Sequence, residues 1–196
     1  MLATNNVGKL REYRSLLENI PFELVTPLEL GINSSVEEIG DSYKDNASLK
    51  ACVLAKESHL LTLADDSGLE VDALHGEPGV MSARYAGKNA SDIDRINYLL
   101  SKLKNVPENK RSARFVCVIA IALPDGSVQF CTGECKGVIT LKPIGENGFG
   151  YDPIFYFPEL QKTMAELPAN IKNQVSHRGQ ATQKARLILD QIYTTL

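Results

Sequence analysis

The run Leu61-Thr62-Leu63-Ala64-Asp65-Asp66-Ser67-Gly68-Leu69-Glu70-Val71-Asp72-Ala73-Leu74 changes period in its middle. Residues 61–64 are a short, mostly apolar run, which predicts a buried strand. Residues 69–74 alternate apolar with acidic side chains, the period of a half-exposed strand. Asp65, Asp66, Ser67 and Gly68 are therefore expected at a strand terminus, with a carboxylate pair held at the end of a buried element.

Downstream, Ser91 with Asp94 three residues on is a capping-box pattern, and Ile93, Ile96, Leu99, Leu100 and Leu103 make the buried stripe of the helix it opens. Residues 114–123 and 127–130 flank Pro124-Asp125-Gly126. A fixed φ, a turn-favouring carboxylate and a permissive Gly there predict an antiparallel hairpin. A last helix around residues 180–193 carries Ala181, Ala185, Ile188, Leu189 and Ile192 on one stripe. Upstream, Leu10, Tyr13, Leu16, Leu17 and Ile20 recur at helical spacing from Lys9, and the residues before Asn5 leave room only for a very short strand. A second helix from about Ser42 places Ala47, Ala51 and Leu54 on one face. Asn46 and Lys50, four residues apart, sit side by side on an adjacent face. Strands alternating with helices, with hairpins in the second half, predict an α/β fold: a mixed twisted sheet with flanking helices. No repeat, low-complexity tract or linker divides the chain, so residues 1–196 are read as a single domain, with two lobes sharing one cleft as a variant of that architecture.

The 196 residues hold 21 Lys and Arg against 24 Asp and Glu, a formal charge of −3, with 43% hydrophobic and 23% charged residues. That balance excludes a basic nucleic-acid coat. It matches a globular chain able to bury roughly 70% of its unfolded surface without a disulfide or metal staple. The longest apolar run, residues 116–123, is far short of the roughly 20 residues a bilayer span needs. The start shows no basic leader ahead of an apolar stretch, so no membrane partner and a cytoplasmic location are expected. Cys52, Cys117, Cys131 and Cys135 form no C-x-x-C pair, and three lie in strand-like sequence, where a thiol behaves as a small hydrophobe.

Four segments concentrate the chemistry. Thr4-Asn5-Asn6-Val7-Gly8-Lys9 enters a helix N-terminus, where unpaired N–H groups, the dipole and the Lys9 charge suit a phosphate; a polar cap with a solvated lysine accounts for the same residues. One Gly and no hydroxyl after the lysine rule out a P-loop. Glu37-Glu38 and Asp65-Asp66, without His or Cys, suit a hard oxygen-liganded cation such as Mg²⁺, against the plainer reading of solvated loop carboxylates. Gly145-Glu146-Asn147-Gly148-Phe149-Gly150-Tyr151-Asp152-Pro153 forms either a shaped loop whose bare backbone and rings approach a ligand or a tight turn. Ser176-His177-Arg178, after Lys172, offers donors for a phosphate or a base carbonyl. His59 and His75 lack such company and read as helix-surface and loop residues.

Taken in order, these segments resemble the inosine/xanthosine triphosphate pyrophosphatase family over nearly the whole chain. The matching blocks are Ala3-Thr4-Asn5-Asn6-Val7-Gly8-Lys9, Asp45-Asn46-Ala47 with Lys50-Ala51, and Ala64-Asp65-Asp66-Ser67-Gly68-Leu69. They continue with Pro78-Gly79-Val80, Ser82-Ala83-Arg84-Tyr85, Gly148-Phe149-Gly150-Tyr151-Asp152-Pro153 and Ser176-His177-Arg178-Gly179. The resemblance implies an architecture with a central nucleotide-binding cleft, Mg²⁺-dependent hydrolysis of ITP, dITP or XTP between the α and β phosphates, and a homodimer. It implies that Thr4, Asn5, Asn6, Val7, Gly8 and Lys9 hold the triphosphate, and that Ser67 contacts substrate. Asp66 would accept the proton and ligate the metal together with Glu37 or Glu38, with Asp65 and Lys50 beside it in the catalytic group. Phe149, Gly150, Tyr151, Asp152, Lys172, His177 and Arg178 would complete the nucleotide site, and Arg84 is a candidate reader of the base. Lys9, Lys50 and Lys172 would offset charge on the departing pyrophosphate.

Two features depart from the family's pattern. Members carry several residues ahead of the block that starts here at Leu2, and Asp41-Ser42-Tyr43 stands where a Thr-Phe pair is commoner. Three other readings stay open. A septum-formation-inhibitor type of nucleotide pyrophosphatase is disfavoured by Ser176-His177-Arg178. A nucleotide-binding regulator without turnover is disfavoured by Asp65, Asp66 and Lys50. An RNA-interaction module is disfavoured by the −3 charge, so no nucleic-acid partner is expected.

Overall fold

The computed structural model of the protein describes residues 1–33, 36–37 and 39–195, so Glu38 lies outside the described residues. Its helices are α1 (Val7–Leu16), α2 (Tyr43–Ser58), α3 (Asp92–Lys102), α4 (Ala169–Val175) and α5 (His177–Thr195). Its strands are β1 (Thr62–Val71), β2 (Ser112–Ala122), β3 (Val128–Ile139), β4 (Phe155–Phe157) and β5 (Lys162–Thr163), in the sheet order β1-β2-β3-β4-β5. β4 pairs antiparallel with β3 through Val138↔Tyr156 and with β5 through Tyr156↔Thr163. The β2–β3 hairpin closes where the sequence expects it: Leu123 N–H donates to Ser127 C=O at 2.9 Å, and Gly126 adopts φ 94°. The very short N-terminal strand is an isolated parallel bridge, Leu2↔Leu63.

The chain forms two compact units, one of Met1–Asp66, Cys117–Gly133 and the chain from Arg178, the other of Ser67–Val116 and Glu134–His177. In the first unit, residues 117–122 of β2 are an unbroken apolar run because helices cover both faces. Period-two alternation sends Cys117, Ile119 and Ile121 into a layer with Tyr13 of α1 and Ala181, Ala185 and Leu189 of α5. It sends Val118, Ala120 and Ala122 into a layer with Ala47, Ala51 and Leu54 of α2. In the second unit, Leu69, Val71, Ala113, Phe115 and Cys135 pack with Ile96, Leu99 and Leu103 of α3. The outward-facing positions stay polar, with Arg114 bridging Glu70 at 2.7 Å and Glu134 at 3.3 Å. The expected capping box opens α3, Ser91 and Asp94 bonding reciprocally. Buried Arg111 closes its other end, donating to the carbonyls of Leu103 at 2.8 Å, Val106 at 3.0 Å and Thr140 at 3.2 Å.

Three boundaries differ from the sequence reading. The acidic pair does not end a strand: β1 runs unbroken through Asp65 and Asp66, because the partners those carboxylates find in the interior outweigh the poor strand propensity of Asp. Beyond Val71 the chain enters a 3₁₀ turn, Asp72–Leu74, instead of continuing the alternation. α5 starts at His177, so the Ser176-His177-Arg178 block forms the helix entrance instead of the loop before it. No described helix is long and apolar enough to cross a membrane.

Candidate active site

Strand period separates the two carboxylates of β1. Asp65 shares the face of Leu63, toward α1 and α5, whereas Asp66 shares the face of Ala64, toward α2. The fully buried Asp65 has its Oδ2 2.9 Å from Lys9 Nζ and 3.6 Å from Arg178 Nη2. Lys50 Nζ, from α2, donates to the Asp65 carbonyl at 2.5 Å. Arg178 is held from its other side by Glu12 at 2.6 Å. Burial by itself pushes the Asp65 carboxyl upward. Lys9, Arg178 and Lys50 together outweigh burial and hold the carboxyl well below the usual carboxylate range.

Beneath this group Cys117 Sγ lies 3.8 Å from Asp65 Oδ2, and Tyr13 Oη lies 3.9 Å from Cys117 Sγ. Burial, and then the Asp65 charge, push the thiol up to about 12 and the phenol well above its usual value, so both stay neutral. Cys117 thus packs as a small hydrophobe, in line with its sequence context.

Asp66 is also buried, and its Oδ2 accepts from Asn46 Nδ2 at 3.0 Å. Asn46 Oδ1 in turn accepts the Gly40 N–H at 2.8 Å, which fixes the amide's orientation. The polar face of α2 read from the sequence therefore serves the acidic pair twice: Asn46 orients Asp66, and Lys50 holds the backbone of Asp65.

In the segment ahead of α1, Thr4 Oγ1 accepts the Asn6 N–H at 3.2 Å, and Asn6 caps the helix by accepting the Lys9 N–H at 2.9 Å. Asn5, Asn6 and Val7 are exposed, Gly8 is half-buried, and the first turn carries no acid, which leaves the positive end of the dipole uncompensated. Glu37 is exposed. Among the described residues no group of three or more His, Cys, Asp and Glu is gathered to cage a metal. A donor set of one or two carboxylates fits Mg²⁺, which commonly takes its remaining oxygens from water and substrate phosphates.

In the second unit, half-buried Ser67 follows Asp66 along β1. The aromatic loop is tied down by its own acid. Asp152, buried, accepts the Phe149 N–H at 2.9 Å and forms an ion pair with buried Lys172 of α4. Gly148 has φ 77°, and a Cβ there would collide with the Asp152 carboxylate, so only glycine fits. Lys172 Nζ sits 5.0 Å over the Phe149 ring, a cation–π arrangement that fixes the ring's orientation. Gly150 N–H donates to Asp92 at 2.7 Å, and Tyr151 Oη donates to the Ser82 carbonyl at 2.9 Å. Arg84, half-buried, ends the 3₁₀ turn Gly79–Arg84. His177 is buried and stacked on Phe115, ring centroids 4.6 Å apart.

The sequence reading assigns Lys9 and Arg178 to the substrate and Asp65 and Lys50 to the catalytic group; the structure gathers the three cations around Asp65, and Arg178 spends donors on two carboxylates, Glu12 and Asp65. That reading overlooks Glu12, Asp92 and Arg95. Glu12 carries a usable signal, lying three residues after Lys9 on the same helix face. Asp92 and Arg95 carry none, being ordinary polar positions of a surface helix.

The model of the Ham1 family matches residues 1–187. The chain is 50% identical over 193 residues to a dITP/XTP pyrophosphatase of Desulforamulus reducens, covering 98% of this chain and 96% of that protein. It is 41% identical over 190 residues to a dITP/XTP pyrophosphatase of Bacillus subtilis, with 97% and 96% covered. Its structure matches that of a HAM1 protein from Coxiella burnetii with a TM-score of 0.88 at 43% identity, 97% of each chain covered.

Proposed function

The chain belongs to the Ham1 family, and from that premise we propose that it hydrolyses the non-standard purine nucleoside triphosphates ITP, dITP and XTP between the α and β phosphates, releasing the monophosphate and pyrophosphate. One observation in the fold carries the reading. Lys9, Lys50 and Arg178, from three different helices, converge on Asp65, whose chain neighbour Asp66 is held separately by Asn46. Such a group pairs a fixed field of positive charge, suited to polyphosphate, with a carboxylate placed for proton transfer.

The two carboxylates divide the work. Asp65, held as an anion by its cations, is a weak base and serves to fix Lys9 and Arg178 in place. Asp66 is the proton acceptor: a water attacks the α phosphorus, the bond to the bridging oxygen breaks with its electron pair leaving on pyrophosphate, and the water's proton passes to Asp66. That transfer requires about 2.6–3.2 Å between the carboxylate and the water. Residues 4–9 bind the phosphates, and Lys9, Lys50 and Lys172 stabilise the charge on the leaving group. Asp66, with Glu37 or Glu38, would hold Mg²⁺, which when bound supplies Lewis-acid polarisation of the phosphate oxygens.

Phe149 offers the stacking surface for the purine. His177, Arg178 or a loop N–H offers the donor to its 6-oxo group, where adenine presents an amino group instead, and Arg84 is the candidate reader that completes base selection. A site whose buried donors go unpaired with the wrong base discriminates by up to about 10⁴–10⁵. Arg84→Ala is expected to narrow the ratio of kcat/KM between dITP and ATP by roughly tenfold or more, the cost of one lost hydrogen bond to a charged donor. An unchanged ratio would remove Arg84 from base reading. On the same reading the enzyme is a homodimer acting on the cytoplasmic nucleotide pool, its −3 charge favouring small nucleotides over polynucleotides.

The test is a product assay with Mg²⁺ on ITP, XTP, dITP, ATP and GTP in parallel, separating pyrophosphate from orthophosphate. Pyrophosphate from the non-standard purines with little from ATP or GTP is the expected result. Orthophosphate release, or equal use of ATP, would overturn the reading.

A further inference from the structure

In the second unit, the 3₁₀ turn Gly79–Arg84 and the aromatic loop are tied to each other by a closed ring of hydrogen bonds that runs through the start of α3. Gly150 N–H donates to Asp92 Oδ2 at 2.7 Å. Asp92 Oδ1 pairs with Arg95 Nη2. Arg95 Nη1 donates to the carbonyl of Ala83 at 2.7 Å and to that of Ala90 at 2.9 Å. The residue before Ala83 is Ser82, whose carbonyl accepts the Tyr151 hydroxyl at 2.9 Å, and Tyr151 follows Gly150. The circuit returns to its start. Ser82 also anchors the turn from within, its hydroxyl donating to Gly79 C=O at 2.6 Å and accepting the Leu69 N–H of β1 at 2.9 Å.

The placement of the pair is unusual for a surface ion pair. The side chain of Asp92 is 42% exposed and that of Arg95 18%. An exposed Asp–Arg pair one helical turn apart contributes little to stability. Here both side chains reach off the helix to backbone groups of two other segments, and those segments carry Arg84 on one side and Phe149 on the other. A rigid frame of this kind holds a binding constellation through residues that never touch the ligand.

We propose that Asp92 and Arg95 are positioning residues for base selection: the pair sets Arg84, which follows Ala83, at a fixed place relative to the Phe149 loop, so preference for 6-oxo purines depends on two α3 side chains. This rests on the pyrophosphatase reading given above.

The test compares Asp92→Ala, Asp92→Asn and Arg95→Met with the unmodified enzyme. One readout is KM and kcat for dITP and ATP; the other is amide hydrogen exchange of peptides covering residues 79–87 and 145–152. Asp92→Ala is expected to raise KM for dITP by about tenfold, to leave kcat within about threefold, and to narrow the dITP/ATP ratio. It should also speed exchange in both peptides, since Asp92 is linked to residues 79–87 through Arg95, which donates to the Ala83 carbonyl. Asp92→Asn keeps an acceptor for the Gly150 N–H and should recover part of the KM. Arg95→Met, which leaves the carboxylate at the helix entrance, should reproduce the loss of selectivity. The proposal is overturned if exchange quickens only in residues 145–152, if Arg95→Met keeps the unmodified dITP/ATP ratio, or if KM and kcat fall together with the melting temperature. If the unmodified enzyme releases no pyrophosphate from dITP, the pyrophosphatase reading fails instead, and joint exchange in the two peptides still decides whether the ring exists in solution.

Discussion

Asp66→Asn is expected to lower kcat for dITP by about 10² or more with an unchanged thermal midpoint, because general-base catalysis contributes roughly 10²–10⁴ and the substitution also removes a carboxylate that would hold Mg²⁺. The amide has the shape of the carboxylate, and its oxygen still accepts from Asn46 Nδ2, which lies 3.0 Å from Asp66 Oδ2. What is lost is the proton acceptor and one negative charge, which on the same reading is also one of the carboxylates that would hold Mg²⁺. Pre-steady-state release of pyrophosphate separates the two consequences: a slowed first turnover reports the chemical step, whereas a fast first turnover with slow cycling reports product release. Asn46→Ala should cost less, since it frees the orientation of a base that is still present. Near-normal turnover by Asp66→Asn would exclude Asp66 as the base.

The contrast between Asp66 and Asp65 shows where the sequence is legible and where it is not. Local rules work wherever the determinant is local. The Ser91–Asp94 cap, the Pro124-Asp125-Gly126 turn and the Asn46–Lys50 face of α2 all depend on residues a few positions apart, and all are found in the structure. The position of the acidic pair within β1 depends instead on partners from far along the chain, Lys9 and Arg178. Judged by propensity alone, two successive Asp residues end a strand; given buried cations, they belong inside one. The family motifs locate the chemistry through residue identity and imply the proton-accepting role for Asp66, yet they do not say what holds each carboxylate. That comes from alternation along the strand, which turns Asp65 toward α1 and α5 and Asp66 toward α2. Asp92 and Arg95 are invisible to pattern reading for the same reason: their partners are the backbone carbonyls of Ala83 and Ala90 and the amide of Gly150.

Arg178→Met should destabilise the protein by about 3–5 kcal/mol at neutral pH, the range for removing one partner of a buried ion pair. That is a large share of the roughly 5–15 kcal/mol that holds a domain together. Arg178 is 2% exposed and bonded to both Glu12 and Asp65, so its removal leaves two carboxylates with fewer opposing charges, one of them fully buried beside Cys117. Lys9, 2.9 Å from Asp65, then carries most of the compensation. The pH dependence gives the argument a sign. Asp65 is held below its unfolded-state value, so the stability it confers is present above about pH 4 and is lost as pH falls from there toward the folded-state value. Without Arg178 the folded-state value rises toward the unfolded one, and that contribution shrinks. Urea midpoints should therefore separate the two proteins widely at neutral pH and less below about pH 4. The double variant Arg178→Met with Asp65→Asn removes the anion together with the cation, so its loss should be smaller than the sum of the single losses. Strict additivity would mean that Lys9 and Lys50 hold Asp65 without help from Arg178.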